Sequence, residues 1–300
     1  MTDRAEPTAS QSPIQFSDVS TTSYDGTILL GRSWSIPNPK AILLIAHGLG
    51  EHGGSYERLA EELVKRLHVD VIAFDLRGSG RSPGKRGFVR SYDELTSDLD
   101  AAIGWMARNR PGLARFLFGH SNGGLVAILT VLNRKPDLAG LILSNPSLRL
   151  SARVPAWKRA LGEALRKFAP GITLSTGLDN DQLTRDPEMI AAIDRDALRH
   201  GRISAPLFFG MLDAGPQALA HASAIQIPTL VILGESDPII DPGSGRTFFE
   251  NLGSADKTLR SFPGMRHEPL NEIGRLEVVS DLVKWLSDRI GRSEYQPRQV

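Results

Sequence analysis

The stretch Gly119-His120-Ser121-Asn122-Gly123 sets a serine between two glycines, directly after the apolar run 116–118 and directly before a helix-period segment. A serine hydroxyl hardly attacks anything at neutral pH. It needs a base within reach and backbone donors where a developing oxyanion would sit, and a sharp strand-to-helix turn offers both. The base is ordinarily a histidine, oriented and charge-stabilised by a carboxylate. The apolar run 229–233 ends in Gly234-Glu235-Ser236-Asp237-Pro238, and the run 259–262 continues into Pro263-Gly264-Met265-Arg266-His267. Ser121, Asp237 and His267 therefore each follow a strand pattern, in the order nucleophile, acid, histidine. Asp241 is a competing acid, while His200 and His221 fall where no strand pattern precedes them. Oxyanion donors are expected from the backbone amides of Asn122 and of Leu49, the latter in Ala46-His47-Gly48-Leu49-Gly50-Glu51-His52 after the run 41–46.

Other chemistries are weaker readings of the same residues. His47, Glu51 and His52 suggest a metal site, but their spacing is neither H-E-x-x-H nor that of a finger, and no metal or organic cofactor is expected. Asp75-Leu76-Arg77-Gly78-Ser79-Gly80 also ends a strand pattern, yet a P-loop ending at Gly84-Lys85 would need glycine at Ser79 and serine or threonine at Arg86. Asp75 and Arg77 read as structural residues of that loop.

Strand-length apolar runs recur at 28–30, 41–46, 69–74, 116–118, 141–143, 229–233 and 259–262. Helical stripes lie between them: Tyr56, Leu59, Leu63 and Leu67; Tyr92, Leu95, Leu99 and Met106; later Ile273, Leu276, Val279, Leu282 and Leu286. This alternation predicts an α/β fold, a mostly parallel central sheet flanked by helices, with ligands beyond the carboxyl ends of the strands. The alternation breaks between residues 146 and 227, read as a helical cap insertion over the site. The core is then expected at 14–145 and 228–293, with flexible tails at 1–13 and 294–300. Within the insertion, Trp157, Leu161 and Phe168 make an apolar stripe opposite Lys158, Arg159, Arg166 and Lys167, and 206–212 is apolar nearly all round.

The bulk properties narrow the function classes. Thirty-five basic against 34 acidic residues give a net charge of +1, which carries no broad bias toward nucleic acid. The absence of cysteine excludes disulfides and thiol catalysis. The polar N-terminal stretch does not read as a secretory signal, and no apolar run approaches the roughly 20 residues that cross a bilayer. A cytoplasmic protein, peripheral to a membrane at most, is the expectation.

With these residues assembled, the chain resembles the α/β-hydrolases, and among them the monoacylglycerol lipase and bacterial lysophospholipase group, over 24–288. The resemblance rests on His47-Gly48-Leu49-Gly50-Glu51-His52, Tyr56, the Asp75 to Ser82 loop, Gly119-His120-Ser121-Asn122-Gly123-Gly124 and the Gly-Met-Arg-His-Glu-Pro run around His267. It implies Ser121 as nucleophile, Asp237 as orienting acid, His267 as general base and acid, and the Leu49 and Asn122 amides as oxyanion donors, agreeing with the reading above. Asn122 departs from the group, where methionine is frequent. The activity implied is hydrolysis of a small lipid ester through an acyl-enzyme, with monoacylglycerol favoured over lysophospholipid because the cap shows no dedicated phosphate cradle. Trp157, Phe168, Phe208 and Phe209 are the candidate substrate contacts, and the basic face beside them suits a lipid surface. A small-ester esterase, a serine aminopeptidase and a non-catalytic binding protein on the same fold are the alternatives.

Overall fold

In the computed structural model of the chain, residues 13–290 are described. The tails expected at 1–13 and 294–300 lie outside them, save for Pro13. The elements run β1 (Gln15–Thr22), β2 (Ile28–Ser35), β3 (Ala41–Ala46), α1 (Glu57–Leu67), β4 (Asp70–Phe74), α2 (Asp93–Asn109), β5 (Ala114–His120), α3 (Ser121–Arg134) and β6 (Gly140–Ser144). They continue through α4 (Ala156–Phe168), β7 (Thr173–Ser175), α5 (Pro187–Arg195), β8 (Arg202–Ser204), α6 (Ala205–Ala220), β9 (Thr229–Gly234), α7 (Pro242–Asn251), β10 (Lys257–Phe262) and α8 (Arg275–Ile290).

An eight-stranded sheet has the order β1-β2-β4-β3-β5-β6-β9-β10. β2 is antiparallel to both β1 and β4, and every other pairing is parallel. The parallel strands β3, β4, β5, β6 and β9 carry apolar runs at their centres because both faces are covered. In β3, Ile42 and Leu44 face the layer holding α2, α3 and α6, whereas Leu43 and Ile45 face the layer holding α1 and α8. This packing stacks β5, β6 and β9 side by side and brings their carboxyl ends to one edge, where the residues of interest sit.

The structure alters the reading of 146–227. A two-stranded antiparallel ribbon, β7 with β8, lies where no strand was expected, its strands too short to leave an apolar pattern. α6 packs in the main core beside α3, with Leu207, Met211, Ala214 and Ala218 buried there. It is a helix of the sheet's flanking layer, and its all-round apolar character reflects burial on several sides. β1 also escaped the pattern. It is an edge strand whose residues are mostly exposed, so Gln15, Ser17 and Asp18 satisfy it without an apolar run. The last helical stripe begins later than the spacing implied, since Ile273 precedes α8 and, like Leu276, is exposed.

Candidate active site

Ser121 opens α3 with φ of +51°, a left-handed conformation that a non-glycine residue adopts only under constraint. The crowding is visible at Gly119, where a Cβ would lie 2.7 Å from the Gly124 Cα. The turn lifts the hydroxyl clear of the backbone. Ser121 Oγ lies 2.8 Å from His267 Nε2, and His267 Nδ1 lies 2.7 Å from Asp237 Oδ2. All three residues are buried. The other carboxylate oxygen of Asp237 accepts from the Ile239 and Ile240 amides at 2.8 and 3.0 Å, which fixes its plane.

With Asp237 ionised, the Nδ1 proton stays on the aspartate side and Nε2 is left as the acceptor of the Ser121 hydroxyl proton. Burial disfavours an imidazolium here, but the Asp237 charge and hydrogen bond, joined by Glu268 and Glu51, outweigh it. The His267 pKa is consequently raised above its ordinary 6.5. Asp241, the rival acid, instead caps α7 by accepting from the Gly243 amide at 2.9 Å.

Leu49, Ser121, Asn122 and His267 share one cavity of about 420 Å³. The Asn122 amide lies in the first turn of α3, where no intrahelical acceptor exists, and among the described residues nothing accepts from the Leu49 amide. Two N–H groups of residues lining the Ser121 cavity are therefore without a protein acceptor among the described residues. The loop bearing Leu49 is held by Glu51, whose Oε2 accepts from the Gly48 amide at 2.7 Å and from the Tyr56 hydroxyl at 2.6 Å.

The substrate contacts expected from sequence divide. Phe208 lines the cavity, along with Leu150, Ile203, Met211 and Ile240. Trp157 and Phe168 do not; they are 66% and 77% exposed on the outer face of α4. Phe209 is buried against α4, under the Arg166 guanidinium at 5.1 Å from its ring centre. The stripe correctly marked an apolar face, but spacing along one helix does not say which surface that face meets.

His47, Glu51 and His52 do not converge on a point. The Leu76 amide donates to His47 Nε2 at 3.0 Å, and His52 Nε2 pairs with Asp196 at 2.7 Å. Glu51, His120 and Glu268 do approach one another within 4.8 Å, yet Arg199 already bridges both carboxylates, at 2.9 and 2.6 Å. Asp75 accepts from the Gly53 and Arg81 amides at 2.6 and 2.8 Å, and Arg77 pairs with Asp98 at 2.6 Å, both holding their loop.

Two residues at the site, Ser147 and Arg199, are not singled out by the sequence reading. Ser147 Oγ lies 3.2 Å from Ser121 Oγ, and its amide donates to the Ser121 carbonyl at 3.0 Å. It follows β6, so the rule that ligands gather past strand ends would have drawn attention to it. Arg199 reaches the site from the segment between α5 and β8, which only the tertiary fold brings near.

A sequence profile of the α/β-hydrolase family described as "Serine aminopeptidase, S33" matches residues 37–274. The chain belongs to this family. Among its relatives, the monoacylglycerol lipase of Mycolicibacterium smegmatis is 32% identical, covering 83% of this chain and 89% of the relative. Phospholipase YtpA of Bacillus subtilis is also 32% identical, covering 82% and 95%. The crystal structure of Paleococcus ferrophilus monoacylglycerol lipase superposes with a TM-score of 0.77 at 33% identity, covering 92% of this chain and 99% of that one. This α/β-hydrolase is thus a serine ester hydrolase by kinship, and its hydroxyl, imidazole and carboxylate stand in hydrogen-bonded sequence at the cavity wall.

Proposed function

We propose that this chain hydrolyses monoacylglycerols to fatty acid and glycerol. The carrying observation is the Ser121–His267–Asp237 relay opening into a mainly apolar cavity lined by two residues whose amides have no protein acceptor among the described residues. In the proposed cycle Ser121 attacks the ester carbonyl while His267 Nε2 takes its proton. The Leu49 and Asn122 amides hold the oxyanion. The alcohol C–O bond breaks, and His267 protonates the departing glycerol oxygen. Water then adds to the acyl-enzyme by the same relay, releasing the fatty acid and restoring the serine.

The polar groups of the cavity favour a glycerol headgroup. Among the described residues, Arg199 is the one lysine or arginine lining it, and both Glu51 and Glu268 hold that guanidinium, so these residues offer no unpaired lysine or arginine to a phosphate. The lining carboxylates are engaged as well: Asp196 with His52, Asp194 with Asn180. The relative named as a phospholipase supports lysophospholipid as the second reading.

Contact with a lipid surface belongs to the same proposal. No helix among the described residues is long and apolar enough to cross a membrane. Trp157, Leu161, Phe168, Ile172 and Leu174 are each exposed in the segment 146–227, with Lys158 and Lys167 over the Trp157 and Phe168 rings. That composition suits shallow insertion among headgroups.

The test is a panel of monoacylglycerols, lysophospholipids, aminoacyl amides and short esters over a range of chain lengths, with Ser121→Ala as control. The proposal expects the highest kcat/KM for a monoacylglycerol. Faster turnover of a lysophospholipid or an amide would replace it.

A further inference from the structure

The residue after the proposed nucleophile carries a polar side chain that is itself held. The Tyr92 hydroxyl donates to Asn122 Oδ1 at 2.7 Å, and both residues are buried. Tyr92 immediately precedes α2, and Gly210 of α6 packs closely against it. A Cβ at Gly210 would lie 2.8 Å from the Tyr92 Cβ, so glycine at that point of the helix makes room for the tyrosine. Burial pushes the Tyr92 phenol above its ordinary pKa, keeping it a donor at any working pH.

The peptide that joins Ser121 to Asn122 bears one of the two proposed oxyanion donors, and it leaves a residue held at φ of +51°. Such a strained turn persists only when its surroundings over-determine it. The Asn122 side chain is the short lever through which α2 and α6 grip that turn. An asparagine there without its tyrosine would bury an unpaired carbonyl, and a tyrosine without its asparagine would bury an unpaired hydroxyl.

We propose that Tyr92 is a positioning residue of the oxyanion site, aligning the Asn122 amide by holding the Asn122 side chain. This rests on the reading of Ser121 as nucleophile and the Asn122 amide as oxyanion donor. Tyr92 touches no reacting atom; it acts through Asn122. The two residues form one unit, so the pair must be exchanged together.

The experiment compares Tyr92→Phe, Asn122→Leu and the double variant, each checked for folding by circular dichroism. Readouts are kcat and KM on a monoacylglycerol and inhibition by a trifluoromethyl ketone, which forms an oxyanion on the serine. Tyr92→Phe is expected to lower kcat about tenfold with KM nearly unchanged, and to weaken ketone binding by a similar factor. The double variant, in which leucine packs on phenylalanine with no orphaned polar atom, is expected to recover to within about threefold of wild type. Wild-type kcat and ketone affinity in Tyr92→Phe would overturn the proposal. So would a loss confined to KM or to melting temperature, or a double variant no better than Asn122→Leu alone. A folded wild type that a fluorophosphonate fails to label at Ser121 would instead overturn the reading beneath it.

Discussion

The side-chain amide of Asn145 donates to the main-chain oxygen of His267 at 2.8 Å, tying the end of β6 to the loop that carries the imidazole. The same group donates to the Arg266 oxygen at 3.2 Å, while Asn145 Oδ1 accepts from the Gly234 amide at 2.9 Å, where β9 turns toward Asp237. One buried side chain thus spans the loops bearing two members of the relay. Its φ of +41° is tolerated by asparagine and glycine better than by most residues. Asn145→Gly keeps the backbone accessible and deletes only the side-chain bonds. We expect about 1–3 kcal/mol lost in urea unfolding, because buried partners are left unpaired, with kcat lowered about tenfold. A folded Asn145→Gly enzyme with unchanged kcat would show that the loops are held without it.

The raised pKa of His267 sets the direction of the pH profile. Attack requires neutral Nε2, so kcat/KM is expected to rise with pH through a midpoint above the ordinary 6.5. Glu268 and Glu51 contribute to that shift, so Glu268→Gln should move the acid limb toward lower pH. For the fold the sign is opposite: the imidazolium–Asp237 attraction stabilises fully below 6.5 and is lost as pH rises through the folded-state value. A pH profile of kcat/KM for both proteins checks this, and an acid limb at or below 6.5 in the wild type contradicts it.

How far these features could be read from sequence depends on where their signals live. Ser121, Asp237 and His267 each lie on the turn or loop that follows an apolar strand, so local pattern and chain order were enough to expect them at one edge. Tyr92, Asn145 and Arg199 gain their meaning from partners 30 or more residues away, which no local spacing announces. The core strands were legible because burial on both faces demands unbroken apolar runs. β1 was not, because an exposed edge strand is satisfied by polar residues. Trp157 and Phe168 show the limit of periodicity: their stripe was readable, but whether it faced the cavity or the outside depended on how α4 rests on α6.

Arg199 holds two buried carboxylates at once, Glu51 beneath the Leu49 loop and Glu268 beside His267. Burial alone would raise the Glu51 pKa, yet Arg199 first, then His120, Tyr56 and the Gly48 amide, bring it down to about 2. Arg199→Met would leave both charges without their cation, a change expected to cost about 3–5 kcal/mol at neutral pH. A carboxylate with a depressed folded-state pKa stabilises above its ordinary 4.5 and loses that contribution as pH falls toward 2. The stability gap between wild type and Arg199→Met should therefore be widest at pH 7 and narrow on acidification, measured by urea unfolding at several pH values. A gap that stays constant or widens in acid would rule out this role for the ion pair.

The exposed face of α4 makes the lipid-surface reading separable from catalysis. Trp157 and Phe168 lie outside the cavity, so replacing both with serine leaves the relay and its walls untouched. Each large apolar side chain transferred out of water contributes about 1.5–3 kcal/mol, and each lysine near an anionic surface about 1 kcal/mol. The double serine variant is expected to bind phosphatidylserine–phosphatidylcholine vesicles at least about tenfold more weakly in a sedimentation assay. Lys158→Gln with Lys167→Gln should weaken binding to these vesicles while sparing the weaker binding to pure phosphatidylcholine, since only the anionic surface attracts the lysines. Turnover of a soluble short-chain nitrophenyl ester should be unchanged in either variant, whereas turnover of vesicle-borne monoacylglycerol falls with binding. Equal sedimentation of wild type and the double serine variant would remove α4 as a docking face and leave its apolar stripe without a lipid partner.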